Sequence, residues 1–242
     1  MKVIKIFFAP ALFLFACANM RDINTEVNGT VVNLSRKGLT EIPPEVFENT
    51  DIKVLKLFGN KLTEIPEEIG NLVNLEKLYL GRNDLISLPE SIGKLKNLKR
   101  LSVQYNLLDT LPESIGDMEN LEEIILNQNQ LVYLPKTIGK LKNLVLLRLT
   151  FNSLKSIPEE IGDCERLQFI HLTRNDLKEL PPTLVKLRKL RELYVSNAGS
   201  MIYLPEELCS LRYLEVLEID QTTVMPNCLY VLRTNQLRII VK

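Results

Sequence analysis

The chain has 242 residues, of which 45% are hydrophobic and 25% are charged, and Lys plus Arg balance Asp plus Glu at 30 each. This length and apolar content are enough to bury a long core in one extended domain. Because the chain has neither a net charge nor a basic run, nucleic acid is excluded as an expected partner.

The N-terminal segment, residues 1–17, has the composition of an export signal. Lys2 and Lys5 precede ten largely apolar residues, 6–15. This stretch is too short to cross a bilayer, which takes about 18 apolar residues, but it suits the apolar region of a secretory signal. The sequence Leu14-Phe15-Ala16-Cys17 resembles the lipobox of bacterial lipoproteins, although Phe15 departs from the small or β-branched residue usual there.

The lipobox resemblance implies that Cys17 is lipidated and becomes the mature N-terminus. Acyl chains contribute about 0.8 kcal/mol per buried CH₂, so two or more chains hold a soluble domain at a membrane. Two alternatives stay open, which are cleavage without lipid and retention of the segment in a cytosolic or anchored chain. Residues 18–28 are expected to form a polar tether and an N-terminal cap.

Residues 29–228 repeat with a period of 23, in units that follow L-x-x-L-x-L-x-x-N-x-L. One such unit cannot bury its apolar side alone, so neighbouring units must stack, and the period lies within the range of about 20 to 29 residues of leucine-rich repeats. The pattern predicts an α/β solenoid, a horseshoe with a concave parallel β-sheet of about nine to ten strands. The asparagines of this pattern are expected to form a ladder, in which each side chain bonds the backbone of its own coil and of the next. They are Asn60, Asn83, Asn106, Asn129, Asn152 and Asn175.

The second half of each unit reads L-P-x-x-I-G-x-L, as at Pro89 and Gly93. Proline fixes its own φ and can open a helical turn, so we expect short helical or 3₁₀ turns on the convex side. We also expect the glycine four residues later to close each turn in the left-handed conformation.

The C-terminal segment, residues 229–242, is predicted to be a cap, in which the repeat register returns at Leu237 and starts a tenth strand. Cys209 and Cys228 fall near this end of the stack and could form a disulfide in an oxidising compartment. Cys164 stands where other units have leucine and is expected to be a small core residue.

Inward-facing strand positions predict a binding surface. In units five to eight, apolar and aromatic residues stand beside two groups that can carry positive charge, and such clusters mark interaction sites. The alternative is that curvature and neighbouring side chains cover the apolar atoms and leave an ordinary sheet face. The predicted patch consists of Ile125, Leu146, Arg148, Phe169, His171 and Tyr194.

No pattern for catalysis is present in the sequence. It has one histidine, no G-x-S-x-G, no phosphate-binding glycine loop and no cluster with metal-ligand spacing. We therefore expect a protein that is not an enzyme and that has neither a cofactor nor a metal.

Residues 29–242 resemble the bacterial leucine-rich repeat proteins built from L-x-x-L-P-x-x-I-G-x-L units, which are abundant in spirochaetes. The resemblance implies a protein of the outer membrane or cell surface, or a secreted one, that contacts other proteins, host proteins included. The expected function is a protein-binding module that engages its ligand on the concave face. The alternatives are a structural or cytosolic scaffold with an uncleaved N-terminus, and a homodimer formed through the same face.

The predicted lipidation of Cys17 determines the mass expected for the mature protein. If Cys17 is lipidated, intact-mass measurement of protein purified from its native membrane will give a chain that begins at Cys17 and carries acyl chains. A mature chain that begins at Met1 would contradict export and favour the scaffold.

Overall fold

A computed structural model of the protein describes residues 26–231 and 237–242. The predicted signal, with Cys17, lies outside the described residues. A single sheet contains its strands in chain order. The strands are β1 (Glu26–Asn28), β2 (Val31–Asn33), β3 (Val54–Lys56), β4 (Lys77–Tyr79), β5 (Arg100–Ser102), β6 (Glu123–Ile125), β7 (Leu146–Arg148), β8 (Phe169–His171), β9 (Glu192–Tyr194), β10 (Val216–Ile219) and β11 (Arg238–Val241).

Parallel pairing runs from β2 to β11 and joins residues one repeat apart, such as Leu78 and Leu101. These ten parallel strands confirm the predicted leucine-rich repeat horseshoe. The strand β1 differs, because it pairs antiparallel with β2 and lies at the N-terminal edge of the sheet. It falls within the segment for which a tether and cap are expected. At the other edge, β11 forms where the repeat register returns.

The convex side consists of short 3₁₀ turns, each of which follows a proline, as expected. They are Pro44–Glu48, Glu67–Asn71, Glu90–Lys94, Glu113–Asp117, Lys136–Lys140, Glu159–Asp163, Pro182–Lys186 and Glu206–Ser210. Between these turns and the sheet lies one continuous core, in which aliphatic residues such as Leu78, Leu101 and Ile124 are fully buried. Because each coil covers the next, the core is shared along the whole stack.

The expectation that the convex glycines adopt the left-handed conformation is wrong. None of the glycines in the 3₁₀ turns has a positive φ. They are small because the next coil is close, and a Cβ on Gly93 would lie 2.5 Å from the backbone oxygen of Ser114. The residues other than glycine that have a positive φ each precede the ladder position, with φ of 52° to 60°. They are Arg36, Arg82, Tyr105, Gln128, Phe151, Arg174 and Asn197.

The asparagine side chains join neighbouring coils, as Asn106 illustrates. Its Nδ2 donates to the backbone oxygen of Val103 in its own coil at 2.9 Å and to that of Leu80 in the preceding coil at 3.0 Å. Its Oδ1 accepts from the backbone N–H of Leu85, also in the preceding coil, at 3.1 Å. Asn60, Asn83, Asn129, Asn152 and Asn175 repeat this arrangement.

A second row of asparagines, not anticipated from the sequence, lies on the edge of the stack before the strands. Each of these side chains is exposed and donates to a backbone oxygen of the preceding coil, as from Asn120 to Lys96 at 2.9 Å. The row consists of Asn74, Asn97, Asn120 and Asn143. Its period is also 23, so the sequence contained the signal.

At the C-terminal end the short helix α1 (Asn227–Val231) packs beside the last 3₁₀ turn. A disulfide joins Cys209 in that turn to Cys228 in α1, with Cα atoms 6.2 Å apart. Cys164 is a free, buried thiol in the core. Burial raises its pKa to about 12, so it stays protonated and unreactive at neutral pH.

The ladder predicts a difference between two asparagine substitutions. Asn129→Ala leaves the buried N–H of Leu108 without its acceptor, which we expect to cost about 1–3 kcal/mol of unfolding free energy. Asn120→Ala is the matched control, because its amide is exposed and water replaces its single bond. Urea unfolding of both variants measures the difference, and equal losses would contradict the structural role of the ladder.

Candidate functional site

The predicted patch lies on the concave face across neighbouring strands. Leu146 of β7 stands opposite Phe169 of β8, and Arg148 stands opposite His171. His171 is in turn opposite Tyr194 of β9. Because parallel strands lie about 4.8 Å apart, these side chains form two adjacent rows on one surface.

Exposure separates Ile125 from the rest of the patch. Leu146, Phe169, His171 and Tyr194 are half-buried and Arg148 is exposed, so all five remain accessible to a partner. Ile125 is only 8% exposed, although it belongs to the same row as Arg148. Neighbouring side chains cover Ile125. For this residue the structure therefore agrees with the alternative interpretation, in which the apolar atoms of the face are covered. The accessible patch therefore consists of Leu146, Arg148, Phe169, His171 and Tyr194.

Two aromatic rings of the patch are stacked. The ring centroids of His171 and Tyr194 are 4.4 Å apart, with an angle of 30° between the planes. Burial and the nearby charge of Arg148 lower the pKa of His171. Burial and a hydrogen bond to Glu192 raise the pKa of Tyr194. Both rings are thus uncharged at neutral pH, and Arg148 is the permanent cation of the patch.

Carboxylates border the patch on its C-terminal side. Glu218 of β10 is almost fully buried, with its carboxylate 2.8 Å from Nζ of Lys242 and 2.5 Å from the hydroxyl of Ser196, which donates to it. Burial alone would raise the pKa of Glu218, but the hydrogen bonds from Lys242 and Ser196 lower it overall. This charge pair ties the last strand to the stack, and sequence reasoning missed it because the partners lie 24 residues apart in units of atypical sequence.

The site has the chemistry of a contact surface. Among residues 26–231 and 237–242, no three His, Cys, Asp or Glu side chains are grouped so that they could hold a metal ion. In the same part of the chain no helix has the length and apolar content needed to cross a membrane. The aromatic, aliphatic and guanidinium groups of the patch can supply apolar contact, stacking and hydrogen bonding to a partner.

The repeat pattern and the fold agree with a known family. A family model described as a leucine-rich repeat region matches residues 44–130 and 127–239. The chain belongs to the leucine-rich repeat family. No curated protein sequence matches this leucine-rich repeat chain.

Solved leucine-rich repeat structures share the fold. The plant peptide hormone receptor RGFR1 in complex with RGF2 is 28% identical, with a TM-score of 0.68 over 76% of this chain and 30% of the receptor. The PEPR1–AtPEP1 structure is 27% identical, with a TM-score of 0.73 over 88% of this chain and 35% of that chain. The chain thus spans about a third of the length of these proteins.

A bacterial structure supports the same architecture. An internalin, InlF, from Listeria monocytogenes is 18% identical, with a TM-score of 0.73 over 87% of this chain and 60% of that chain. At this identity the likeness shows the fold alone. The partner of this chain has to be argued from its site.

The lowered pKa of His171 predicts a pH-dependent stability. Because the folded pKa lies below the ordinary value of 6.5, protonation favours the unfolded chain. The stability that the fold has with neutral His171 is fully present above pH 6.5, and it is lost as the pH falls from 6.5 through the folded pKa. His171 is the only histidine, so His171→Gln should reduce the loss of unfolding free energy as the pH falls below about 6.5. The same slope in parent and variant, measured by urea unfolding, would contradict this assignment.

Proposed function

We propose that the protein is an exported, lipid-tethered binding module, without enzymatic activity, that holds a protein partner on its concave face. The observation that carries the proposal is the accessible patch, in which Leu146, Phe169, His171 and Tyr194 lie together beside the exposed Arg148. Aromatic and arginine side chains are enriched at the residues that dominate protein interfaces, and clustered apolar groups on a surface mark contact sites.

The rigidity of the sheet supports binding by this patch. Its residues belong to three successive strands, β7, β8 and β9, which are paired in register and held by the ladder at Asn152 and Asn175. A surface that is already ordered loses little conformational entropy when a partner binds. The patch is therefore suited to a partner that presents a complementary apolar surface.

Three features support the exported location. The apolar segment 6–15 and Cys17 fit a lipoprotein signal, and the disulfide between Cys209 and Cys228 is a bond typical of oxidising compartments. The proposed place is a bacterial membrane, at the outer membrane or cell surface, with the lipid on Cys17 as the anchor. A secreted form without lipid is the alternative.

The proposed partner is a protein or peptide, a host protein included. The similarity to a plant peptide hormone receptor, RGFR1 in complex with RGF2, favours a polypeptide ligand over other classes. A homodimer formed through the same concave face is the alternative. Light scattering over a dilution series tests for it, because a dimer dissociates as the concentration falls.

Charge placed in the patch should abolish binding without unfolding the chain. With the solenoid lacking residues 1–17 as bait, we expect Leu146→Asp and Phe169→Asp each to weaken capture of the partner by about 2 kcal/mol or more, because both side chains lie in the accessible patch. Tyr213→Asp is the matched control, since Tyr213 is 65% exposed and lies in the turn before β10, outside the inward rows.

Quantitative mass spectrometry of the captured proteins, with circular dichroism of each bait, measures the effect. Retention of the same protein by the parent, Phe169→Asp and Tyr213→Asp baits would place the binding surface elsewhere.

A further inference from the structure

The concave face is divided by charge along the stack. Two sets of residues in the coils of β2 to β5 are compared, those at the inward strand positions and those just before each ladder position. Five of these side chains are cationic and none is acidic. They are Arg36, Lys56, Lys77, Arg82 and Arg100. Among residues 29–229 the first carboxylate at these positions is Glu123 of β6, which pairs with Arg100 at 2.9 Å. A chain with no net charge thus concentrates positive charge at one end of its concave face.

The remaining four cations form no ion pair with the side chains that the structure describes. Arg36, Lys56, Lys77 and Arg82 make neither an ion pair nor a side-chain hydrogen bond within residues 29–229 and 237–242. Elsewhere on the surface lysines commonly pair with a carboxylate one repeat away, as Lys99 does with Glu76 at 3.1 Å. The unpaired charges are therefore available to an anionic partner.

Aromatic rings lie against both arginines at this end of the face, and the guanidinium carbon of Arg82 is also 5.1 Å from the ring centroid of Tyr105. The guanidinium carbons of Arg36 and Arg82 lie 5.7 Å and 5.8 Å from the centroid of Phe58, within the range of cation–π attraction. Phe58 also lines a shallow cup of about 410 Å³ with Ser35, Lys56 and Tyr79. Two guanidinium groups are thereby held beside a cup that has an ammonium and a phenol in its wall. We call Arg36, Lys56, Phe58, Lys77, Tyr79 and Arg82 the basic cup.

We propose that the basic cup binds a short acidic segment of the partner polypeptide. The inference rests on the proposed function, because it assigns the cup to the same concave-face partner, and it adds a second contact that is separate from the patch. Carboxylates of such a segment complement the four unpaired cations, and Arg36 and Arg82 offer planar forks that bind a carboxylate through two hydrogen bonds.

The size of the cup favours a short peptide over a long polyanion. The cup residues belong to the coils of three strands, β2 to β4, which span about 10 Å at a spacing of about 4.8 Å and match about three residues of extended chain. Nucleic acid and long sulfated glycans bind through extended positive surfaces that release many counterions. Here the cations end at Glu123, which neutralises Arg100, and Glu192 beyond it would repel a polyanion that continued along the face. A peptide can instead place acidic residues in the cup and apolar residues over the accessible patch.

The test uses the full chain in a mild detergent and a fluorescein-labelled peptide of six residues, four of them glutamate. Fluorescence anisotropy should show binding that weakens as salt rises from about 0.1 M to about 1 M, because the screening length falls from about 10 Å to about 3 Å. Arg36→Glu with Lys56→Glu should weaken binding at least about tenfold. Lys94→Glu with Lys189→Glu changes the total charge equally on exposed lysines outside the concave face, and should leave binding within about twofold.

Two further probes decide the class of ligand. The same peptide with glutamine in place of glutamate should not bind, and a single-stranded hexanucleotide should bind more weakly than the acidic peptide. Equal binding by the cup variant and the control variant would overturn the proposal, as would preference for the glutamine peptide or the hexanucleotide. Phe169→Asp should still bind the peptide, because Phe169 lies outside the basic cup. The cup variant therefore tests the basic cup, and Phe169→Asp separately tests the accessible patch.

Discussion

The structure depends on side-chain amides that satisfy backbone groups of two coils at once. A coil of 23 residues leaves the strand through a turn whose N–H and C=O groups cannot all pair within the coil. Each ladder asparagine supplies the missing donor and acceptor, as Asn106 does for Leu80, Leu85 and Val103. The bonds fix the distance and the register between coils, so every other row of the molecule follows from them.

Fixed register turns sequence positions into surfaces. Because residues one repeat apart lie side by side, a property that recurs at one position of successive units becomes a continuous stripe. The accessible patch and the basic cup are two regions of the same face, the first apolar and aromatic and the second cationic. A partner that meets both has an acidic element and an apolar element at a set separation, and the rigid sheet makes that separation a criterion for recognition.

The spacing of apolar residues and asparagines was sufficient to predict the solenoid, the parallel sheet and the 3₁₀ turns, because each unit repeats the same pattern of residues. It was not sufficient for features that depend on the distance between coils. The role of Gly93 is set by the backbone of Ser114 in the next coil, and the burial of Ile125 is set by its neighbours. The row that includes Asn120 had a readable period, and the cations of the cup become visible when residues are compared down several columns of the repeat.

The most direct test of the ladder is hydrogen exchange of the amides that donate to asparagine Oδ1 atoms. In the structure the N–H groups of Leu85 and Leu108 each lie 3.1 Å from such an oxygen, in the turns that follow β4 and β5. NMR-detected exchange should find these turn amides protected to the same degree as the strand amides of Leu78 and Leu101. Exchange at the rate of exposed loop amides, with the strands still protected, would show that the ladder does not hold the coils together.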